Sequence, residues 1–255
     1  MFNSYLNIFS RLVVSWVLLL GSSAAHADAH AAEAADGTAV EPWSFKLTPS
    51  YYATSNQKDA TDVNLRANQG SHTVWLGYYR RSSEFEQIRS GYEYTVQLPL
   101  VQLVPSLQLA THGFVGGSIS AQLGDPIYLL LGLGRTNARD YYNLNFDPND
   151  SLVYGVGTRL VPKSIISLFT VKDNRLHTGQ TITHLVWRIA PNDQQRWTID
   201  LSSKHGRASV NEEAVSGQAL SLTYDYRNVF VRVARDRKVN FTVEDQNRFS
   251  LGLRF

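Results

Sequence analysis

The sequence contains no Cys and a single Met in 255 residues. Without Cys there is no disulfide, no thiolate metal site and no thiol nucleophile, so an exported chain of this kind depends on its sheet and its surroundings for stability. It also lacks an apolar run of the roughly 18–20 residues that a membrane-spanning helix needs, which excludes a helical membrane protein. Tyr (13), Phe (11) and Gly (17) are abundant, a composition typical of strands with aromatic anchors and tight turns.

The first 42 residues are predicted to be a signal peptide followed by a flexible tail. Residues 1–27 have Arg11 as their only charge, a short apolar core at 12–20, and small residues up to Ala27, the pattern of a secretory signal cleaved after that residue. Residues 28–42 are Ala-rich, acidic and without periodicity, and we expect a mobile periplasmic tail. The remaining chain holds 23 basic and 18 acidic side chains, so the predicted folded domain is basic.

From Trp43 onward, apolar and polar residues alternate in short segments separated by turn residues, which predicts β-strands. About fourteen segments are present, and membrane barrels have even strand numbers. We therefore expect residues 43–255 to form one all-β domain, a closed antiparallel up-and-down transmembrane β-barrel of about fourteen strands, with twelve as the alternative. The segments are 43–54, 61–69, 72–81, 87–98, 103–112, 114–124, 126–136, 151–162, 164–173, 180–190, 196–203, 218–227, 229–236 and 247–255.

The connections between these segments alternate in length. Every second one is short, such as 124–125 and 227–228. The intervening connections are longer and polar: 55–60, 136–150, 174–179, 204–217 and 237–246. In membrane barrels the short turns lie in the periplasm and the long loops on the other side. We therefore expect both chain ends in the periplasm and the long connections facing outside.

The last nine residues carry the clearest strand pattern. In residues 247–255, apolar side chains ending at Phe255 occupy every second position, and polar residues or Gly lie between them. Such a strand resembles the last strand of Gram-negative outer-membrane β-barrels. The resemblance implies an outer-membrane location, closure of the sheet by this strand, and recognition by the barrel-assembly machinery through the strand that ends at Phe255.

The apolar face of the other segments is predicted to contact outer-membrane lipid. Tyr and Trp lie toward the segment ends, where amphipathic rings meet lipid headgroups. A large soluble β-sandwich with the same alternation is the alternative. The predicted lipid-facing residues are Val74, Leu76, Tyr78, Tyr92, Tyr94, Val96, Leu98, Leu185, Trp187, Ile189, Trp197, Ile199, Leu201, Leu222, Tyr224, Tyr226, Val229, Val231 and Val233.

The opposite face is predominantly cationic. Arg side chains in a narrow lumen attract small anions and suit carboxylate or phosphate groups, so Lys46 and the Arg residues of this face predict an anion-binding lumen. The predicted anion-binding residues are Arg66, Arg89, Arg159, Arg188, Arg196, Arg227, Arg232, Arg248 and Arg254. The acidic residues of this face are Asp62, Glu93, Asp200 and Asp225. The architecture is similar to that of the small oligogalacturonate and sialic-acid channel family. The alternative is a lumen plugged by Arg–carboxylate networks.

No residue is assigned a catalytic or metal-binding role. Outer-membrane lipid hydrolases carry His and Ser two residues apart on one strand. The nearest pair here, His205 and Ser209, is four apart and is interpreted as part of a polar loop, and His184 as a polar group of the lumen. Residues 143–149 alternate Asn and Asp but lack the Gly and the terminal Glu of a calcium-binding loop. We predict no cofactor and no nucleic-acid partner.

These patterns favour a passive outer-membrane channel of a Gram-negative bacterium for small anionic solutes. Two alternatives stay open. One is an outer-membrane lipid or lipopolysaccharide hydrolase, and the other is a closed barrel with a structural role or a role in surface binding.

Overall fold

A computed structural model describes residues 41–255, so the predicted signal peptide at 1–27 and the tail up to residue 40 lie outside the described residues. The described chain forms fourteen strands: β1 (Ser44–Thr54), β2 (Ala60–Gln69), β3 (His72–Arg81), β4 (Phe85–Tyr94 continued by Val96–Leu98), β5 (Val101–Ala110), β6 (Phe114–Leu123), β7 (Ile127–Thr136), β8 (Ser151–Thr158), β9 (Ser164–Asp173), β10 (Thr181–Asn192), β11 (Gln195–Gly206), β12 (Val215–Tyr226), β13 (Val229–Asp236) and β14 (Gln246–Arg254). The two parts of β4 pair with β5 in one continuous register on either side of Thr95.

The sheet closes on itself. Each strand pairs antiparallel with its neighbours in the chain, and β1 pairs with β14 through partners such as Leu47 with Leu253 and Tyr51 with Phe249. At the end of this seam, the Phe45 amide donates to the Phe255 carbonyl at 2.7 Å, and the Phe255 amide donates back at 3.0 Å. Closure leaves no sheet edge, and it confirms the predicted all-β, up-and-down barrel with fourteen strands.

One end of the barrel has short turns and the other has longer connections, as the sequence predicts. The short turns use positive φ where a tight reversal requires it, as at Gly124 (φ 109°) and Arg227 (φ 52°). Two single 3-10 turns, Thr111–Gly113 and Val239–Phe241, lie in connections at the long-loop end. Within residues 41–255 no helix has the length and apolar character needed to cross a bilayer.

Alternation along the strands separates an apolar exterior from a mixed interior. Every predicted outward residue is exposed or half-buried in the isolated barrel, including Leu76, Leu201 and Phe249. Their exposure follows from the two-residue period, because consecutive side chains of a strand point to opposite faces. The outward orientation predicted from the sequence is therefore confirmed.

Large inward side chains lie flat against the wall where the adjacent strand has Gly. A Cβ on Gly157 would overlap the Tyr128 ring, and a Cβ on Gly252 would overlap the Phe230 ring. On the β7–β10 side, an apolar cluster fills the interior: Tyr128, Leu130, Val153, Phe169, Val171 and Val186. The interior is therefore apolar on this side, and the open space lies toward the strands that carry most of the inward cations.

Candidate functional site

The open interior is a cavity of about 1690 Å³. At roughly 30 Å³ per water molecule, this volume holds several tens of waters, so the charged groups that line it have access to solvent. All nine Arg residues predicted to face the lumen line this cavity, together with Lys46. In total, thirteen Lys and Arg side chains and seven Asp and Glu side chains line it. The cavity is therefore basic, as the alternation predicts, and the anion-binding role of the Arg residues stays a prediction.

Two of the nine Arg residues lie at the mouth of the cavity rather than inside it. Arg159 follows the end of β8, and its side chain contacts Asp125 at 3.3 Å and the Tyr128 ring at 4.4 Å. Arg227 lies in the turn between β12 and β13, where its Nε donates to Gln194 Oε1 at 3.2 Å. Both turns belong to the short-turn end, so these two cations mark its rim.

Four of the inward Arg residues pair with three carboxylates. Arg66 donates to both oxygens of Glu93, at 3.3 Å each. Arg89 forms a buried ion pair with Asp62. The remaining two, Arg196 and Arg254, share Asp225. Pairing of this kind reduces the cost of holding these charges in a partly desolvated interior.

Four other inward cations have no acidic partner. In the part of the chain that the structure describes, no carboxylate oxygen lies within 4.0 Å of Lys46, Arg188, Arg232 or Arg248. Arg232 donates through Nε to Thr223 Oγ1 at 2.9 Å, and Arg248 donates to the Leu144 carbonyl at 3.1 Å. The Arg–carboxylate pairs therefore leave excess positive charge in the cavity.

The connection between β7 and β8 does not face outside as predicted. Residues 137–140 are exposed, but residues 141–150 fold back into the barrel and are buried or half-buried. Tyr142 stacks on Tyr79 with ring centroids 3.9 Å apart, and Tyr141 stacks on Phe114 at 4.3 Å. The prediction was wrong because the aromatic side chains of this connection gain cover only inside the barrel. Its length and its polar residues are typical of an external loop.

Polar contacts hold this infolded loop, residues 141–150, against the wall. The Arg89 guanidinium donates to the Tyr142 carbonyl at 3.3 Å, and the Tyr142 amide donates to Gln87 Oε1 at 3.1 Å. At the end of the loop, Asp150 accepts hydrogen bonds from Thr136 at 3.0 Å and from Arg175 at 2.7 Å. Buried backbone groups are thus satisfied by wall side chains, as an inward-folded segment requires.

The connection between β13 and β14 also enters the barrel, contrary to the prediction that it faces outside. Val239 and Phe241 of its 3-10 turn are buried, and Val239 belongs to an apolar cluster with Tyr52 and Tyr79 of the wall and Tyr142 of the infolded loop. Val239 thus gains cover from inward aromatic rings, and the Phe241 ring lies 5.9 Å from the Lys204 ammonium group. The infolded loop and this turn therefore occupy part of the long-loop half of the interior, and the cavity extends from there to the short turns.

Lys204 is placed differently from the prediction that assigns it to an outer connection. It lies in β11, which continues to Gly206, and its buried ammonium forms an ion pair with Asp236 of β13. Both residues line the cavity. Continued alternation through Ser202 and Lys204 was the signal in the sequence that could have identified this cation.

His184 lies on the inner face of β10, as interpreted from the sequence, and contacts Asp147 of the infolded loop. Burial raises the pKa of the Asp147 carboxyl, and the neighbouring His184 opposes that rise. In the same loop, Asn143 Oδ1 accepts from the Asn145 amide at 2.9 Å, and Asn143 Nδ2 donates to the Asp147 carbonyl at 3.3 Å. These groups therefore brace the loop internally and against the wall.

The His205 and Ser209 side chains are not brought together. Ser209 donates to Glu212 at 3.2 Å, whereas His205 Nδ1 lies 3.0 Å from the Ser216 hydroxyl on the exposed face of β11 and β12. Among residues 41–255, the His205 side chain has no further hydrogen-bond partner, so no third group orients it as a base. The geometry therefore lends no support to a catalytic role for His205 with Ser209.

Known proteins resemble this chain in structure only. No model of a known protein family matches the sequence, and no curated protein matches it. The outer membrane protein Omp33 of Acinetobacter baumannii is similar over 84% of this chain and 98% of its own, with 9% identity and a TM-score of 0.55. A mutant of the Rh. blastica porin is similar over 84% of this chain and 99% of its own, with 9% identity and a TM-score of 0.50. The chain thus has the fold of outer-membrane porin barrels.

Proposed function

We propose that this chain is an outer-membrane channel of a Gram-negative bacterium, through which small anionic solutes diffuse. The observation that carries the proposal is the excess positive charge of the cavity, which is lined by thirteen cationic and seven acidic side chains. Four of the inward cations have no carboxylate partner among the described residues. Fixed positive charge in a narrow, partly desolvated lumen concentrates anions and excludes cations.

The infolded loop supports a restriction to small solutes. It occupies part of the long-loop half of the interior together with Val239 and Phe241, so the passage beside it is narrower than the barrel. In this proposal the short turns face the periplasm, the N-terminal signal is cleaved after Ala27, the exterior contacts lipid, and the barrel-assembly machinery recognises the strand ending at Phe255.

Reversal potentials in planar bilayers test the proposal. With a KCl gradient across the membrane, the purified mature protein should conduct and its reversal potential should have the sign of anion preference. Cation preference would overturn the role given to the lumen cations, and absence of conductance would overturn the channel.

A closed barrel is the second candidate, because the infolded loop packs against the wall through stacked rings and hydrogen bonds, and Val239 joins an apolar cluster with wall residues. This candidate gives no conductance in the same bilayers. It also gives none when Gln87 and Arg89, the wall side chains that hold the infolded loop, are replaced. Conductance that rises when these two side chains are replaced supports the channel instead.

A further inference from the structure

Three cationic side chains from three neighbouring strands surround one aromatic ring on the inner wall. Lys46 Nζ lies 4.6 Å from the centroid of the Phe230 ring, Arg254 Cζ lies 5.1 Å away, and Arg232 Cζ lies 6.0 Å away. The ring itself is only 2% exposed and lies against Gly252 of the next strand. The ring is thus held flat on the wall beneath the three cations.

The strand register brings these cations together. Lys46 is directly opposite Arg254 on β14 and opposite Arg66 on β2, so three inward cations lie side by side in one row across the seam. Like charges directly opposite each other in a sheet are destabilising. Only Arg66 and Arg254 have a carboxylate within reach, Glu93 and Asp225 respectively, so the positive charge of the row is only partly compensated.

Several donors in this group lack an acceptor. The Lys46 ammonium group has no hydrogen bond within residues 41–255. Over the same described range, Arg232 uses Nε for Thr223 and has no partner for its two terminal nitrogens. Asp225 already serves both Arg254 and Arg196. Both unpartnered side chains line the cavity, so a solute that enters it meets an excess of donors at this point.

We propose that Lys46, Arg232 and Arg254 form one discrete, saturable binding site for a small oxyanion with two or more negative charges, whose carboxylate or phosphate oxygens are held by the cations. The three cations have one carboxylate within reach, Asp225, which also pairs with Arg196, so their positive charge is undercompensated. An Arg fork and a Lys ammonium both suit such oxygens. The inference rests on the proposed function and refines it from a diffuse basic lumen to a defined site.

Titration calorimetry on the detergent-solubilised mature barrel tests the site without requiring conduction. The two probes are citrate, which carries carboxylates, and inorganic phosphate. Saturable binding of at least one probe is expected, and the tighter probe identifies the oxyanion class. Each charge-assisted hydrogen bond removed by Lys46→Gln or Arg232→Gln should weaken binding by about tenfold or more. Lys46→Arg, which keeps the charge, should retain binding.

Lys172→Gln is the matched control, because Lys172 is an exposed side chain of β9 that does not line the cavity. Circular dichroism establishes that each variant forms a barrel. No saturable binding of either probe, or equal binding by Lys46→Gln and Lys172→Gln, overturns the site. Anion-selective conductance without saturable binding overturns this inference alone, whereas saturable binding in a non-conducting barrel overturns only the channel.

Discussion

His184 joins the barrel wall to the infolded loop through both nitrogens of its ring. Nε2 lies 3.2 Å from Asp147 Oδ1 of the loop, and Nδ1 lies 2.9 Å from Asp200 Oδ1 of the adjacent strand β11. The Phe169 ring stacks on the imidazole with centroids 5.0 Å apart and interplanar angle 12°, which fixes the ring orientation. One side chain therefore ties a loop carboxylate to a wall carboxylate.

Replacing His184 with Ala should loosen the infolded loop. Asp147 is fully buried, and loss of its partner costs about 1–3 kcal/mol, which corresponds to a rise of about 5- to 150-fold in the population of the open loop. Hydrogen exchange measured by mass spectrometry should show faster exchange for residues 141–150. His205→Ala is the control, because His205 lies on the exposed face. Equal exchange in the two variants contradicts an anchoring role.

Tyr142→Ala should destabilise the barrel more than Tyr154→Ala does. Tyr142 is buried and stacked on Tyr79, whereas Tyr154 is on the outward face and 50% exposed. Truncation of a buried aromatic costs about 3–5 kcal/mol, part of it from the lost stacking. Urea unfolding from lipid vesicles, followed by Trp fluorescence, measures the difference. A smaller loss for Tyr142→Ala than for Tyr154→Ala means that the loop contributes little to stability.

Gly252→Ala should destabilise the pairing of β13 with β14 because its Cβ would overlap the Phe230 ring. The expected loss is about 1–3 kcal/mol, the usual cost of overpacking. Gly117→Ala is the matched control, since its Cβ would lie 3.8 Å from the nearest atom, the Ser106 carbonyl oxygen. Phe230→Ala should relieve the clash, so a double-mutant cycle is expected to show strong coupling between residues 230 and 252. Additive losses in the cycle argue against the close contact.

Leu201→Arg and Ser202→Arg should differ although the two positions are adjacent in β11. Leu201 is outward-facing and 47% exposed in the isolated barrel, and Ser202 lines the cavity. Arg on the lipid face near mid-membrane costs about 2–4 kcal/mol, whereas Arg in the water-accessible cavity keeps its charge solvated. Folding yield into vesicles and urea midpoints measure both. Equal tolerance of the two substitutions is incompatible with a lipid-covered exterior.

The strand pattern was readable from the sequence because it depends on a local property. In a segment such as 72–81, the side chain of Leu76 points outward and that of Trp75 inward solely because a strand has a two-residue period. For the same reason, the lumen-facing positions of Arg66 and Arg232 could be inferred without knowing their neighbours. The residue at which a segment ends is harder to predict. The predicted segment 196–203 stops one residue short of Lys204, so this inward cation was not identified.

Pairings between distant residues could not be inferred. Arg89 forms an ion pair with Asp62, two strands away. Tyr142 stacks on Tyr79, although its connection has the length and polarity typical of an external loop. The alternation of strands contains no information about which carboxylate meets which cation, or about whether a long connection turns inward. The isolation of Lys46 and Arg232 from any carboxylate in the described chain became visible only with the register in place.

By itself, the sequence determined that this chain forms a closed barrel with an apolar exterior and a basic interior, because alternation and composition act residue by residue along each strand. Only the tertiary structure decided how much of that interior stays open. The infolded loop gains more from burying its rings against Tyr79 and Phe114 than it would from solvent. That balance depends on wall residues far away in the chain, which a local pattern does not contain.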